Sequence, residues 1–100
     1  PVVQKFIDHA VEKGAIVAAI CAAPSILGHK GLLKGRKAVC YEGFEGELEG
    51  ASVGSEPVAV DGPFITSRGA GTATQFALAL LAALRGEGAA DKVRGSILCP

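Results

Sequence analysis

Ala15-Ile16-Val17-Ala18-Ala19-Ile20-Cys21-Ala22-Ala23-Pro24 is the stretch on which the fold turns. Its first six residues are apolar without alternation. A strand with one wet face alternates; an unbroken apolar run suits a strand covered on both faces, as in a parallel sheet. Pro24 stands where the first turn of a helix tolerates proline. The stretch therefore reads as strand, sharp turn, helix, with Cys21 at the turn.

Working outward, residues Val2 to Lys13 place Val3, Phe6, Ile7, Ala10 and Val11 on one face at helical spacing, and Gly14 ends that helix. Downstream, a short helix runs from Pro24 toward Lys30, weakened by Gly28 and Gly31. Lys37 to Cys40 reads as a short strand. Residues Tyr41 to Ser55, rich in Gly and Glu, read as a surface excursion. Val58-Ala59-Val60 and Phe64-Ile65-Thr66 flank Asp61-Gly62-Pro63 as two strands around a tight turn. Gly69-Ala70-Gly71-Thr72 opens an apolar helix to Leu84, with Thr72 as its N-cap and Arg85-Gly86 closing it. A last short helix covers Ala89 to Arg94. Strands mixed with helices indicate an α/β layer fold. The strand at Ile16 to Ile20 calls for parallel neighbours on both edges and helices on both faces. That is more strand than this chain offers, so the pattern leaves open a complete small domain and a portion of a larger one.

Composition removes several function classes. The chain has 100 residues, 49% of them hydrophobic, and ten basic residues balance ten acidic ones. Without a basic block, nucleic acid is not an expected partner, because phosphate binding needs a clustered positive face. No apolar run approaches the length of a membrane-spanning helix. Three cysteines, Cys21, Cys40 and Cys99, lack Cys-x-x-Cys spacing and a His cluster, which argues against a disulfide framework and against a metal site. The expected compartment is a reducing cytoplasm. With no Trp or Met, the core must be built mainly from Ala, Val, Leu and Ile.

Cys21 is the candidate nucleophile. It ends a buried strand and stands at the mouth of a helix, the place where open α/β sheets bind ligands. Unpaired backbone N–H groups and the positive end of the helix dipole favour negative charge there. The backbone N–H groups of Cys21 and Ala22 are the candidate oxyanion donors, and Ala22 and Ala23 keep the approach open. This is nucleophile-elbow logic with sulfur in place of oxygen. The same residue also fits a buried cysteine acting as a small hydrophobe, and the pattern alone does not choose.

Ala18-Ala19-Ile20-Cys21-Ala22-Ala23-Pro24 resembles the nucleophile segment of the ThiJ/PfpI superfamily, in the branch that includes the protein deglycase. Thr66-Ser67-Arg68-Gly69-Ala70-Gly71-Thr72, followed by Phe76-Ala77-Leu78-Ala79, resembles that branch's second hallmark. Gly31-Leu32-Leu33-Lys34-Gly35-Arg36-Lys37-Ala38 and Tyr41-Glu42-Gly43-Phe44-Glu45 resemble bacterial members. The resemblance implies a flavodoxin-like three-layer sandwich with a mostly parallel sheet, of which residues 1–100 form the C-terminal half of one domain. It implies that an acidic residue beside the cysteine, and a Gly-Gly turn supplying another oxyanion N–H, belong to an N-terminal half outside this sequence. That half is the expected partner, as a separate chain or as further residues, and these 100 residues alone are expected not to hold a stable fold. The complete protein is expected to be a homodimer.

The activity implied is conversion of a small 2-oxoaldehyde to a hydroxy acid in the manner of a glyoxalase III, or removal of early glycation adducts, with Cys21 as nucleophile and no cofactor. The alternatives are a redox-sensing, chaperone-like protein with an oxidisable Cys21, and an amidase or thiamine-pathway protein of the same superfamily. Protease-like and amidotransferase-like relatives put His directly after the nucleophile; Ala22 stands there, which weakens a Cys-His peptidase reading. Many deglycase-branch members carry His on the loop after the next strand. Tyr41 takes that place as a candidate pocket residue, able to donate a hydrogen bond but a poor base at neutral pH. Cys40 reads as a buried strand residue or as a second thiol that resolves oxidised Cys21. His29 and His9 read as surface or packing residues, and Glu42, Glu45, Glu47 and Glu49 as a solvated face. Arg68 reads as a structural salt bridge, with anion binding near a dimer interface as the alternative.

Overall fold

The computed structural model describes residues 2–97, with side chains from Lys5 onward. Helix α1 spans Val2–Glu12, strand β1 Val17–Ile20, helix α2 Pro24–His29, and strands β2 to β5 Lys37–Ala38, Ser52–Val53, Val58–Asp61 and Phe64–Ser67. Helix α3 spans Ala73–Arg85 and helix α4 Glu87–Ser96. Cys99 lies outside the described residues.

The main sheet has the order β1-β5-β4. β1 runs parallel to β5, with Val17 opposite Phe64 and Ile20 opposite Ser67. β4 and β5 form the expected antiparallel hairpin around Gly62 and Pro63. Within this chain the sheet is therefore mixed. Side chains alternate across a strand, so Phe64 and Thr66 face one side and Ile65 and Ser67 the other. On the first side Phe64 joins Val17, Leu27, Leu33, Ala38, Cys40 and Leu48 in the core, with Ile7 and Ala10 of α1 against it. On the second side α3 packs across β1, β4 and β5, and α4 packs on α3. The result is a layer of α1, α2 and the β2 segment, a sheet, and a layer of α3 and α4. Burying Leu27, Leu33 and Phe64 contributes on the order of 1.5–3 kcal/mol each.

Several expectations change. β2 ends at Ala38 rather than Cys40, because the Val39 N–H donates to the Thr66 hydroxyl (2.9 Å) instead of continuing a ladder. The excursion after Tyr41 contains a strand that its polar, glycine-rich composition hid: β3 pairs in parallel with β2. Asp61 ties this ribbon to the hairpin by accepting from the Lys37 N–H (2.8 Å). β1 is not covered throughout, since Ala18 is exposed among the described residues. The apolar stripe of α1 is only partly used: Ile7 and Ala10 pack, while Phe6 is 73% exposed. α4 is longer than read, and no described helix is long and apolar enough to cross a membrane. At the other end of α3, Gly86 closes the helix with φ 94°, a left-handed conformation that glycine takes without a steric cost.

Gly28 turns out to be a packing requirement as well as a weak helix former. A Cβ there would collide with the Glu47 carbonyl oxygen and come within 2.8 Å of Leu48 Cα, both backbone atoms. The loop at residues 47–48 thus lies directly against α2. Gly28→Ala in the full-length protein should lower stability by about 1–3 kcal/mol through overpacking. Urea unfolding checks this; an unchanged midpoint would contradict the close approach.

Candidate functional site

Cys21 follows β1 with φ 66°, and among the described residues it alone of the non-glycines has positive φ. A side chain in that region is strained by roughly 1–3 kcal/mol, so the surroundings must enforce it. They do so through its own peptide groups. The Cys21 N–H donates to the Ser67 carbonyl (3.0 Å), extending the β1–β5 ladder by one residue. The Cys21 carbonyl accepts from the Tyr41 N–H (2.7 Å). The chain then turns: Ala23 N–H donates to the Ile20 carbonyl (3.2 Å), and the Ser25 hydroxyl donates to the Ala22 carbonyl (2.7 Å). Pro24 enters α2 at its first position, as expected.

The expected pair of oxyanion donors is corrected by this arrangement. The Cys21 N–H is committed to the Ser67 carbonyl and so is not a free donor for an oxyanion. The Ala22 N–H has no hydrogen-bond partner among the described residues and remains the candidate donor.

The two residues that hold Cys21 each lead into a wall of an open hollow of about 370 Å3, lined by Tyr41, Glu42, Arg68, Gly69, Ala70, Gly71 and Thr72. Cys21 sits beside this hollow but does not line it. Tyr41 is half exposed, lies against Gly69 and meets Phe44 edge-to-face at 6.4 Å between ring centroids. The opposite wall is fixed by Thr72. Thr72 is the N-cap residue of α3 as expected, but its hydroxyl makes no bond to that helix: it donates to the Gly69 carbonyl (2.9 Å), accepts from the Gly69 N–H (3.1 Å) and lies 2.6 Å from the Ser67 hydroxyl. The Ser67 hydroxyl also lies 2.7 Å from the Pro57 carbonyl. This latch was not read from the sequence, although the signal was present in the Ser and Thr five residues apart in one motif.

Cys40 is 2% exposed and belongs to the core. Burial pushes its thiol above the ordinary value of 9.0, helped by Glu45 and opposed by Arg68. Arg68 does not form the expected salt bridge: no carboxylate lies within bridging distance among the described residues, and its contact is a long one to the Ser55 carbonyl (3.5 Å). His29 pairs with Glu47 on the surface (2.7 Å), and His9 is exposed. No cluster of metal-ligating side chains occurs among the described residues.

The DJ-1/PfpI family model matches residues 1–83. The chain belongs to the DJ-1/PfpI family. It is 37% identical over 97 residues to protein DJ-1 homolog B of Arabidopsis thaliana, which covers 95% of this chain and 22% of that protein. It is 32% identical over 87 residues to a glutathione-independent glyoxalase of Caenorhabditis elegans, covering 86% of this chain and 47% of that one. Among solved structures, a DJ-1 superfamily protein from Salmonella typhimurium superposes with TM-score 0.90 at 31% identity, covering all of this chain and 55% of that chain. Drosophila melanogaster DJ-1beta superposes with TM-score 0.88 at 33% identity, covering 98% and 54%. The chain thus spans about half the length of these two solved structures, and the α/β fold is that of the family.

The two described thiols differ in access: Cys21 is half-buried, whereas Cys40 is buried and its thiol is pushed up by that burial. Limiting iodoacetamide at neutral pH should label Cys21 well before Cys40, as read by peptide mass spectrometry. Because the fold holds Cys40 protonated, the unfolded chain loses that proton first. Cys40 therefore favours the fold below about pH 9, and this contribution falls as pH rises further. Labelling of Cys40 ahead of Cys21 in the native protein would contradict this.

Proposed function

We propose that the complete protein is a cysteine-dependent enzyme of the glyoxalase III or deglycase type, acting on small 2-oxoaldehydes or their adducts. The observation that carries the reading is the strained Cys21 at the end of β1, its backbone held on both sides so that the side chain is presented at a sharp strand-to-helix turn. Elbows of this kind present a nucleophile in unrelated hydrolases. The glyoxalase relative and the family membership support the same chemistry.

In the proposed reaction the Cys21 thiolate adds to the aldehyde carbon, forming a C–S bond and an oxyanion. The Ala22 N–H stabilises that oxyanion, together with a donor from the N-terminal half of the domain. A carboxylate, also from that half, moves a proton from the former aldehyde carbon to its oxidised neighbour. The aldehyde carbon is thereby oxidised by two electrons and the ketone carbon reduced by two. Water then cleaves the resulting thioester, releasing a 2-hydroxy acid and the thiol. The sum is aldehyde plus water to acid, and it needs no external oxidant or cofactor.

The buried, proton-holding Cys40 is poorly suited to resolving an oxidised Cys21 quickly, which favours the enzymatic reading over a thiol relay. With full-length protein and methylglyoxal, lactate should form without glutathione. Cys21→Ser should reduce kcat/KM by at least about a thousandfold, as loss of a covalent nucleophile does. Lactate formation by Cys21→Ser at the wild-type rate would overturn the proposal.

A further inference from the structure

We infer that the hollow between Tyr41 and Arg68 is a carboxylate subsite, so that the preferred 2-oxoaldehyde carries an anionic group at its far end. This rests on the proposed reaction at Cys21 and names the substrate class for it.

Three observations converge. The first is charge. Arg68 lines the hollow without a carboxylate partner among the described residues, whereas Arg36 and Arg94 lie against Asp61 and Asp91. A guanidinium presents a planar fork of donors that matches a carboxylate, and its 3.5 Å contact to the Ser55 carbonyl leaves that capacity largely unused. The second is donor supply on the same wall. The Gly69 and Thr72 N–H groups are bonded within the turn, while those of Ala70 and Gly71 have no protein partner among the described residues. Tyr41 adds a phenol from the opposite wall.

The third is position. The Cys21 N–H is bonded to Ser67, one residue before Arg68, and the Cys21 carbonyl to Tyr41 itself. The hollow is thus coupled to the nucleophile by two backbone hydrogen bonds, one to Tyr41 in its wall and one to Ser67, which adjoins Arg68 in the chain. A short chain leading away from the attacked aldehyde enters this space, and its volume accommodates a few carbon atoms. Glu42 also lines the hollow and works against an anion. It is exposed and has no bonded partner among the described residues, so it limits affinity and gives a second handle for testing.

The experiment compares methylglyoxal with 4,5-dioxopentanoate, which is methylglyoxal extended by a carboxymethyl group, using the full-length protein. The anionic substrate should show a KM lower by about tenfold, the scale of one charge-assisted pairing. Arg68→Gln should lower the ratio of kcat/KM for the anionic over the neutral substrate by about tenfold, and Arg68→Lys should restore part of it. Glu42→Gln should raise the ratio.

Binding is read separately from turnover with levulinate, which has the carboxylate but no aldehyde, on the Cys21→Ala protein. Amide resonances of residues 68–71 should shift, and Arg68→Gln should abolish the shifts. A ratio unaffected by Arg68→Gln, with no levulinate shifts, would overturn the subsite even if methylglyoxal is turned over. Levulinate shifts in a protein that converts neither aldehyde would uphold the subsite and overturn the reaction.

Discussion

The peptide of Cys21 donates to Ser67 and accepts from Tyr41, and these two backbone bonds set the geometry of everything around the cysteine. A left-handed cysteine costs roughly 1–3 kcal/mol, while a typical hydrogen bond returns a net of about 0.5–1.5 kcal/mol. Two such bonds therefore offset the strain without a large surplus. The conformation persists because Ser67 and Tyr41 are themselves anchored. Ser67 lies in the β1–β5 ladder and in the hydroxyl latch with Thr72. Tyr41 follows Cys40 and Val39, which are buried against the sheet.

This constraint connects fold to site. The parallel pairing of β1 with β5 brings residue 67 opposite residue 20 and so delivers the Ser67 carbonyl to the next amide along. The β2 segment reaches residue 21 only because Asp61 and Thr66 hold Lys37 and Val39 from the hairpin side. The close approach of residues 47–48 to Gly28 keeps α2 seated beneath the turn. Each is made away from the cysteine, yet its consequence is felt at a single half-buried residue.

Much of this was legible in the sequence. An unbroken apolar run followed by Cys21, two alanines and a proline specifies a strand ending in a sharp turn into a helix, and the hairpin around Gly62 was equally plain. The two-residue strand β3 was not, because a short, exposed strand carries no apolar alternation to read. The extent of β2 was misjudged for a related reason: Val39 and Cys40 are apolar because they are buried, but the Val39 N–H is satisfied by the Thr66 hydroxyl instead of a ladder. The oxyanion pairing failed at Cys21 because sequence shows which N–H groups exist but not which are already bonded. That Arg68 meets no carboxylate among the described residues was hidden in the same way, since opposite charges were plentiful and only the fold decides which ones meet.

The chain spans about half the length of the Salmonella typhimurium and Drosophila melanogaster structures, so the central claim, that Cys21 attacks an aldehyde carbon, belongs to the complete protein. The most direct measurement is 13C NMR of full-length protein mixed with methylglyoxal labelled at the aldehyde carbon. The account predicts a protein-bound tetrahedral hemithioacetal carbon that gives way to the carboxylate of lactate, with both signals missing in Cys21→Ala. Lactate appearing with Cys21→Ala, or an adduct located on another residue, would contradict it.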